Sequence, residues 1–440
     1  MVKKLIILAA IFSLSLAASS FAAVENIKVS GDISAYGIHR GDFDFGLDGV
    51  AQPNDGIDVG LSAIRLQFDA DLTEDVMVTL RLLNERLWGT IDTEAAGGAQ
   101  DTGVDIDLAY VTLKDFLGYP VTLKVGRQEI KLGQGMIIGD PYTNSYNPYV
   151  SLAGTNAGSQ LVMSGLDDFS ARKAFDAIVG IIDLAPMTIT VGYIKDTEAV
   201  TTSIDDTNTM FVNVGYDFDA NLIGEVYVVS KNDQRKNAAK DITNVIGTRW
   251  VANPLDALTL VGEFAYQTKK GDPAGGGIRA DGKHSSDIAV LVGANYAFLD
   301  IDWVPTIGVD WAYFSRNWDP MYEDLTVAHI ANAIFPNMNI STIGLTLTAK
   351  PREDLMASIR YVNLRLVDEV MTGQLVNNYA TYVMDDSKAL GNELDLGLRY
   401  DYTEDVQLGL DMDFFFPGDA FNEVNDDTAT QAVASMKVTF

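Results

Sequence analysis

The chain ends on the segment Gln431-Ala-Val-Ala-Ser-Met-Lys-Val-Thr-Phe440, in which apolar and polar side chains alternate. One face carries Ala432, Ala434, Met436, Val438 and Phe440, and the other carries Gln431, Val433, Ser435, Lys437 and Thr439. Because successive side chains of a strand point to opposite faces, the pattern predicts a β-strand with one apolar face, which only Val433 interrupts. An ordinary amphipathic strand at the end of a soluble sheet is the alternative that this segment alone leaves open.

The same segment resembles the closing strand of a bacterial outer-membrane β-barrel, in which lipid-facing and lumen-facing residues alternate. The resemblance implies that the terminal aromatic residue, Phe440, belongs to the signal that the barrel-assembly machinery reads. It also implies that the partners of the chain include outer-membrane lipid and lipopolysaccharide.

The opposite end of the chain has the pattern of a secretory signal peptide. Lys3 and Lys4 precede an apolar run over residues 5–18, and Ser20-Phe-Ala22 supplies the small residues that a signal peptidase needs. We therefore expect residues 1–22 to be removed and residues 23–440 to form one domain. A retained anchor is disfavoured because serines interrupt the run before the roughly 20 residues that a membrane span requires.

The composition excludes several classes of protein. Of 440 residues, 61 are Asp or Glu and 31 are Lys or Arg, yet 47% are hydrophobic. The apolar content is too high for a disordered chain, and nucleic-acid binding would need clustered basic residues. Since the chain has no cysteine, it has no disulfide, thiolate metal site or lipid-attachment cysteine.

Period-2 alternation recurs in 18 segments, from residues 27–38 to residues 430–440. An even number of strands returns the chain to the side where it began, as bacterial barrels require. Short connections such as residues 73–75 alternate with long ones such as residues 132–173, which is the asymmetry of periplasmic turns and extracellular loops. The predicted fold is therefore all-β, a transmembrane antiparallel up-and-down β-barrel of about 18 strands.

The alternation also predicts which charged residues line the pore, because a basic residue facing lipid at mid-depth costs about 2–4 kcal/mol. The residues assigned to the lumen on this basis are Arg65, Arg81, Glu225, Glu263, Arg360, Glu393, Arg399 and Asp411. Inward charges that only pair across the wall and fill the interior are the alternative. Since 18 strands enclose more space than side chains fill, we expect a water-filled channel.

A second motif, Val125-Gly-Arg-Gln-Glu-Ile130, is followed by Leu132-Gly133 and by Gly139-Asp-Pro141. It resembles the "GRQ" strand and the glycine-rich entry to the long third loop in the alginate-export-like family of 18-stranded barrels. The resemblance implies that Arg127 projects toward the channel and that residues 132–173 fold inward to constrict it. Glu129, also assigned to the pore, and the carboxylates named above depart from the strongly basic conduit of the family's alginate exporters.

Enzyme chemistry is not indicated, and neither a catalytic residue, a cofactor nor a metal site is expected. His39, His284 and His329 all fall in predicted loops, whereas an outer-membrane hydrolase would place a histidine on a strand beside Ser or Asp. Acidic pairs such as Asp426-Asp427 are expected to be solvated loop, with divalent-cation binding as the alternative.

The sequence therefore predicts a porin through which small hydrophilic solutes and ions diffuse passively. A conduit for polysaccharide or another specific substrate is the alternative within transport, and a surface adhesin or structural barrel is the alternative from another class. The pattern leaves the solute, the ion preference and a homo-oligomer open.

Overall fold

A computed structural model describes residues 26–46, 56–89, 103–142, 166–197, 206–233, 241–270, 285–371 and 382–440. The predicted signal peptide, residues 1–22, lies outside these described residues. Within them, no helix has the length and apolar character needed to cross a membrane.

Eighteen strands account for most of the described chain. They are β1 (Asn26–Gly41), β2 (Gly56–Thr73), β3 (Val76–Leu87), β4 (Asp105–Leu113), β5 (Val121–Glu129), β6 (Ala174–Leu184), β7 (Met187–Thr197), β8 (Thr207–Asp219), β9 (Leu222–Asp233), β10 (Asp241–Leu255), β11 (Leu258–Lys270), β12 (Ser285–Ala297), β13 (Thr306–Phe314), β14 (Ile340–Arg352), β15 (Leu355–Leu366), β16 (Ala389–Asp401), β17 (Val406–Pro417) and β18 (Ala429–Thr439). Among the described connections lie a short helix, α1 (His329–Ile334), and 3₁₀ turns at Phe116–Gly118 and Asp167–Phe169.

The strands form one closed antiparallel sheet. Each strand pairs with its neighbours in the chain, and β1 pairs with both β2 and β18, for example through Ile33 opposite Val438. Closure leaves no strand edge unpaired, which a membrane-spanning sheet requires because lipid supplies no hydrogen-bonding partner. The predicted 18-stranded β-barrel is confirmed.

The predicted start of β13 was wrong for a local reason. Alternating apolar residues predict a strand over residues 302–314, but the strand begins only at Thr306. Val304 adopts a left-handed φ of 38°, its N–H donates to the carbonyl of Ile301 at 2.8 Å, and the following Pro305 has no N–H to donate. Residues 298–305 therefore form a turn that the apolar pattern concealed.

The connections alternate in length around the barrel. Those at one end contain two to eight residues, and those at the other end contain seven to 44. The longest run over residues 130–173, 315–339 and 367–388. His39, predicted to lie in a loop, instead lies inside β1, because this strand extends three residues beyond its predicted end.

An apolar band covers the outside of the barrel. Large apolar residues at every second position remain exposed, as at Val226 and Val228 on β9. Near the strand ends that the short connections join, exposed aromatic rings cluster, for example Phe218 stacked on Trp250 at 5.5 Å between centroids. Amphipathic rings prefer the membrane–water interface, so this girdle marks the border of the lipid-facing band.

The topology can be checked by labelling from outside the cell. We expect single cysteines to react with a membrane-impermeant maleimide on whole cells when they are placed at exposed positions within residues 41–52, 274–282 or 371–384, such as Met371. Residues 47–52, 274–282 and 372–381 of these ranges lie outside the described residues. Cysteines replacing Glu74 or Glu404, in short turns at the opposite end, should react only after the outer membrane is opened. Labelling of the Glu404 position in intact cells would reverse the orientation.

Candidate channel and its inward-folded segments

The connection between β13 and β14, residues 315–339, lies inside the barrel, and we call it the inward segment. All of it is described, and it includes α1. Trp318, Ile330 and Ile334 on this segment are buried. A connection on the long-loop side that buries such large apolar side chains occupies the lumen and reduces its open cross-section.

Side chains of the barrel wall hold the inward segment. Glu393 on β16 accepts the N–H of Ile330 at 2.7 Å and that of Ala331 at 2.8 Å. Arg360 on β15 donates to the carbonyl of Val327 at 3.0 Å. The first turn of a helix has N–H groups without partners inside the helix, and Ala328 offers no side-chain cap. Glu393 therefore takes the role of a cap supplied from the wall.

The inward segment also pairs with the connection between β5 and β6. Ile138 forms an isolated parallel bridge with Tyr322, and Asp324 accepts hydrogen bonds from Lys131 at 2.7 Å and from Lys173. Gly135 has a φ of +88°, and a Cβ there would stand 2.6 Å from the carbonyl oxygen of Asp324. The structure thus requires a glycine in the motif Leu132-Gly-x-Gly for a close backbone approach.

The inward folding implied for residues 132–173 is seen in the part that the structure describes. Met136, Ile137 and Ile138 are buried against the apolar core that includes the inward segment. Residues 143–165, which belong to the same predicted constriction, lie outside the described residues. Residues 130–142 and the inward segment therefore both lie in the lumen, whereas the resemblance implied inward folding only for residues 132–173.

Burial changes the ionisation of carboxyl groups on these segments. Burial raises the pKa of Glu323 to about 8, although Asn337 donates to it through its backbone and side chain. Burial likewise raises the pKa of Asp140 to about 6. Burial also acts to raise the pKa of Asp324, but the hydrogen bonds from its two lysines outweigh it and lower that pKa. At neutral pH, the carboxyl group of Asp324 is therefore ionised, whereas that of Glu323 is largely protonated.

Aromatic side chains close one side of the lumen. Phe335 of the inward segment packs in a cluster with Phe45, Tyr382, Phe415 and Phe421. Phe45 and Phe415 are stacked at 5.3 Å between centroids, and the hydroxyl of Tyr382 donates to the carbonyl of Phe43 at 2.6 Å. A cluster of this kind excludes water, so a solute path must pass elsewhere.

A cavity of about 420 Å³ lies between the inward segment and the wall formed by β1 and β16–β18. Charged groups of both signs line it, among them Asp140, Lys173, Asp324, His329, Arg399, Asp411, Asp413 and Lys437. Asp140 and Lys173 belong to a long connection, whereas Lys437 lies close to the short-turn end of β18. The cavity therefore extends along the barrel and is the candidate solute path.

A second cavity of about 210 Å³ lies beside Arg127, the arginine of the "GRQ" motif. The guanidinium donates to the hydroxyl of Tyr142 at 2.7 Å and lies 3.4 Å from a carboxylate oxygen of Asp176. Tyr322 of the inward segment lines the same cavity. Arg127 therefore contacts a space next to the inward segment.

The other two letters of the "GRQ" motif have backbone roles. Gly126 adopts a φ of +125°, and a Cβ there would stand 2.2 Å from the carbonyl oxygen of Ala109. The buried amide of Gln128 donates to the carbonyls of Gly126 and Ala177, each at 3.2 Å. Both residues join β5 closely to its neighbours, so they position Arg127 without contacting solute.

Most of the charges assigned to the pore are paired on the inner face. The pairs are Arg65 with Asp32, Arg81 with Asp107 and Glu129, Arg249 with Glu225, Arg360 with Asp310, and Arg399 with Asp411. The alternative considered from the sequence, pairing across the wall, is thus seen at each of these positions. Of the ten residues assigned to the pore, Arg127, Arg399 and Asp411 line the two cavities just described.

Two predicted pore carboxylates hold inward-folded chain instead. Glu393 caps α1, and Glu263 on β11 accepts the hydroxyl of Tyr227 at 2.7 Å and the N–H of Gln134 at 2.8 Å. The alternation of the residues around them predicted that both side chains face the lumen. It could not predict that chain from a distant connection would reach them.

The inward segment brings a histidine to the wall of the lumen, and the sequence pattern did not predict this contact. His329 lies in a connection, as predicted, and its Nδ1 lies 3.1 Å from a carboxylate oxygen of Asp413 on β17. Burial alone would lower the pKa of His329, yet the hydrogen bond and charge of Asp413, with the charges of Asp395 and Glu393, raise it to about 9. The available signal was the unusual apolar content of residues 315–339 for an extracellular loop.

Comparison with known proteins agrees with this architecture. A family model described as alginate export matches residues 38–435. No curated protein sequence matches the chain. The solved structure of the outer membrane protein OprD from Pseudomonas aeruginosa is 11% identical, with a TM-score of 0.56 over 96% of this chain and 97% of that chain.

Two further solved structures have the same fold. OccAB2 from Acinetobacter baumannii is 11% identical, with a TM-score of 0.57 over 96% of this chain and 99% of that chain. OpdQ from Pseudomonas aeruginosa is 12% identical, with a TM-score of 0.54 over 96% of this chain and 100% of that chain. At such identities the likeness concerns the fold alone. Because the family model covers nearly the whole barrel, the chain belongs to the alginate export family of outer-membrane β-barrels.

Proposed function

We propose that the barrel is an outer-membrane porin through which small hydrophilic solutes and ions diffuse passively. The observation that supports this most is the charged cavity of about 420 Å³ between the inward segment and β16–β18. Its volume falls within the range of about 300–1,000 Å³ that is typical of small-molecule sites. Solutes of a few heavy atoms match this space better than an extended polymer does.

Constriction by two connections supports small solutes in particular. The inward segment and residues 130–142 are bonded to the wall and to each other by buried contacts. A path narrowed in this way passes solutes by their size and charge, because each must exchange water for contacts with the lining. Among the described residues, the lining of the larger cavity carries both signs of charge, so neither ion is excluded outright.

Export of an acidic polysaccharide is the second candidate, and family membership supports it. Lys173, Arg399 and Lys437 provide basic contacts along the larger cavity. Two of these basic groups have carboxylates nearby, Asp411 at 2.8 Å from Arg399 and Asp324 beside Lys173, which reduces the attraction for a polyanion. The balance of charge therefore favours small solutes.

Electrical recording tests both candidates. Purified protein in planar lipid bilayers should form steps of ohmic conductance, and proteoliposomes should swell in solutions of small sugars or amino acids. Millimolar acidic oligosaccharide added to one side should leave the steps of a small-solute porin open and should block those of a polysaccharide conduit. A barrel without conductance would instead be an adhesin or a structural protein.

Exchange of two arginines tests the charge of the path. In the double variant Arg81→Gln and Arg127→Gln, the carboxylates of Asp107 and Glu129 lose their cationic partner, so inward negative potential increases. We expect the cation-to-anion permeability ratio to rise roughly twofold, most clearly at low salt where screening is weak. The reversal potential in a salt gradient measures this change.

The matched control for this pair is Arg352→Gln. Arg352 is exposed beside a short turn and pairs with Asp354, so its removal should not change the reversal potential. An unchanged reversal potential in the double variant would mean that neither arginine acts on the ion path.

The remaining partners follow from the same proposal. The apolar band would contact outer-membrane lipid and lipopolysaccharide, and the assembly machinery would read the C-terminal strand that ends at Phe440. Each barrel encloses its own path, so a homo-oligomer is compatible with this function. Cleavage after residue 22 would release the mature chain on secretion.

A further inference from the structure

Three ligand-type side chains converge where α1 meets the wall. They are His329 on the inward segment, Asp395 on β16 and Asp413 on β17, and one ligand atom from each lies within 4.8 Å of the others. Asp395 and Asp413 stand directly opposite each other in the register of β16 and β17. The cluster therefore joins the inward segment to two strands of the wall.

The carboxylate of Asp395 lies among other ionisable groups. Only 4% of this residue is exposed, and among the described residues no N–H or hydroxyl group donates to either carboxylate oxygen, so its polar neighbours are the carboxyl group of Glu393 and the imidazole of His329. Arg360, its cross-strand neighbour on β15, directs its guanidinium to Asp310 at 2.6 Å instead. A buried carboxylate without a donor is costly, so a cation must lie beside it, which is either the protonated imidazole of His329 or a metal ion that displaces that proton.

The second carboxylate is held in place by the barrel. Oδ2 of Asp413 accepts the amide of Gln431 at 2.9 Å, and Arg40 donates to the amide oxygen of Gln431 at 2.7 Å. This support leaves Oδ1 directed at His329. Fixed outer partners of this kind orient the ligands of metal sites.

We propose that His329, Asp395 and Asp413 bind a divalent transition-metal ion of the zinc type. One imidazole and two carboxylates suit such ions, whereas magnesium and calcium prefer oxygen ligands alone. Ligand atoms around tetrahedral zinc stand about 3.4 Å apart at the usual bond lengths. His329 and Asp413 already lie 3.1 Å apart, so only a small closing movement toward Asp395 is required.

The site is accessible from the candidate path. The side chain of His329 is 44% exposed, and both His329 and Asp413 line the larger cavity. A bound ion would cross-link the inward segment to β16 and β17 and would add positive charge to the lining. Binding follows from the ligand geometry alone, whereas an effect on current rests on the proposed channel function.

Binding is tested on the full barrel, refolded in detergent and stripped with a chelator. Isothermal titration with zinc chloride should give one site per barrel, and magnesium chloride should give none. His329→Ala and the isosteric Asp395→Asn should each weaken zinc binding at least tenfold. A cobalt(II) complex of the wild type should show visible absorption that both variants lose.

The matched control is His39→Ala. His39 also pairs with a carboxylate, Asp58 at 2.8 Å, but it is exposed, and it belongs to no three-ligand cluster in the part of the chain that the structure describes, so its removal should leave zinc binding unchanged. Heat-modifiable migration confirms that each variant is folded. The site is overturned if folded wild type fails to bind micromolar zinc, or if both folded variants bind as the wild type does.

Bilayer recording separates this site from the proposed function. Micromolar zinc should lower cation current through the wild type by at least twofold and should not affect Asp395→Asn. Normal conductance without zinc binding would reject the metal site and would support the porin function. Zinc binding to a barrel that passes no current would support the site and reject the porin.

Discussion

Replacement of residues 317–337 by a short Gly-Ser linker is expected to raise single-channel conductance severalfold. The inward segment occupies the lumen with buried side chains such as Trp318 and Phe335, and ion flow depends on the cross-section that remains. Phe314 and Ile340 pair directly across β13 and β14, so a short linker can close the hairpin without changing the register. Conductance steps in planar bilayers measure the change.

A single substitution that weakens the anchor of the inward segment tests the same idea without a deletion. Glu393→Gln keeps one acceptor oxygen for the N–H groups of Ile330 and Ala331 but weakens the anchor, so we expect brief openings to an intermediate conductance. Glu353→Gln, in a short turn at the opposite end, is the control and should not change the current. If the deletion variant folds and keeps the wild-type conductance, the inward segment does not limit the path.

Deletion of Phe440 is expected to reduce the folded barrel severalfold without affecting secretion across the inner membrane. Its backbone forms both closing hydrogen bonds with Gly31, at 2.9 and 3.0 Å. A Cβ on Gly31 would stand 2.9 Å from the ring of Phe440, so the ring lies directly over this glycine. Loss of the residue removes the final contacts of β18 with β1, where the barrel closes. The fraction with heat-modifiable migration on cold gels measures assembly.

Two variants test the cause of this effect. Phe440→Tyr keeps the backbone bonds and the ring, and should assemble like the wild type. Gly31→Leu should reduce assembly even with Phe440 present, because its Cβ would stand 2.4 Å from the carbonyl oxygen of Arg65 as well as against the ring. A normal folded fraction after deletion of Phe440 would show that the terminal aromatic residue is dispensable.

Period-2 alternation was sufficient to predict the strands because each strand meets lipid on one face along its whole length. The boundaries of β18, predicted at residues 430 and 440, were predicted to within one residue. The start of β13 was not, since a left-handed Val304 and Pro305 break pairing without changing the apolar pattern. Local backbone conformation, rather than hydrophobicity, decides such a boundary.

The candidate site was predicted less completely for a different reason. The inner face of Glu263 and Glu393 followed from their strand neighbours, but their partners did not. Gln134 is 129 residues away from Glu263, and Ile330 is 63 residues away from Glu393. Contacts of this kind depend on how two connections pack inside a closed barrel, and no periodicity in the sequence records that packing.

By itself, the sequence determined the barrel, its strand number, the short and long ends and the side of each strand that meets lipid. These properties depend on hydrogen bonding and burial that repeat along every strand, so the local alternation of apolar and polar residues is sufficient to predict them. Only the tertiary structure decided that residues 315–339 occupy the lumen, that Glu393 caps α1, and that His329 meets Asp395 and Asp413. Closure of the barrel brings these distant residues together, because side chains from opposite parts of the wall share one interior.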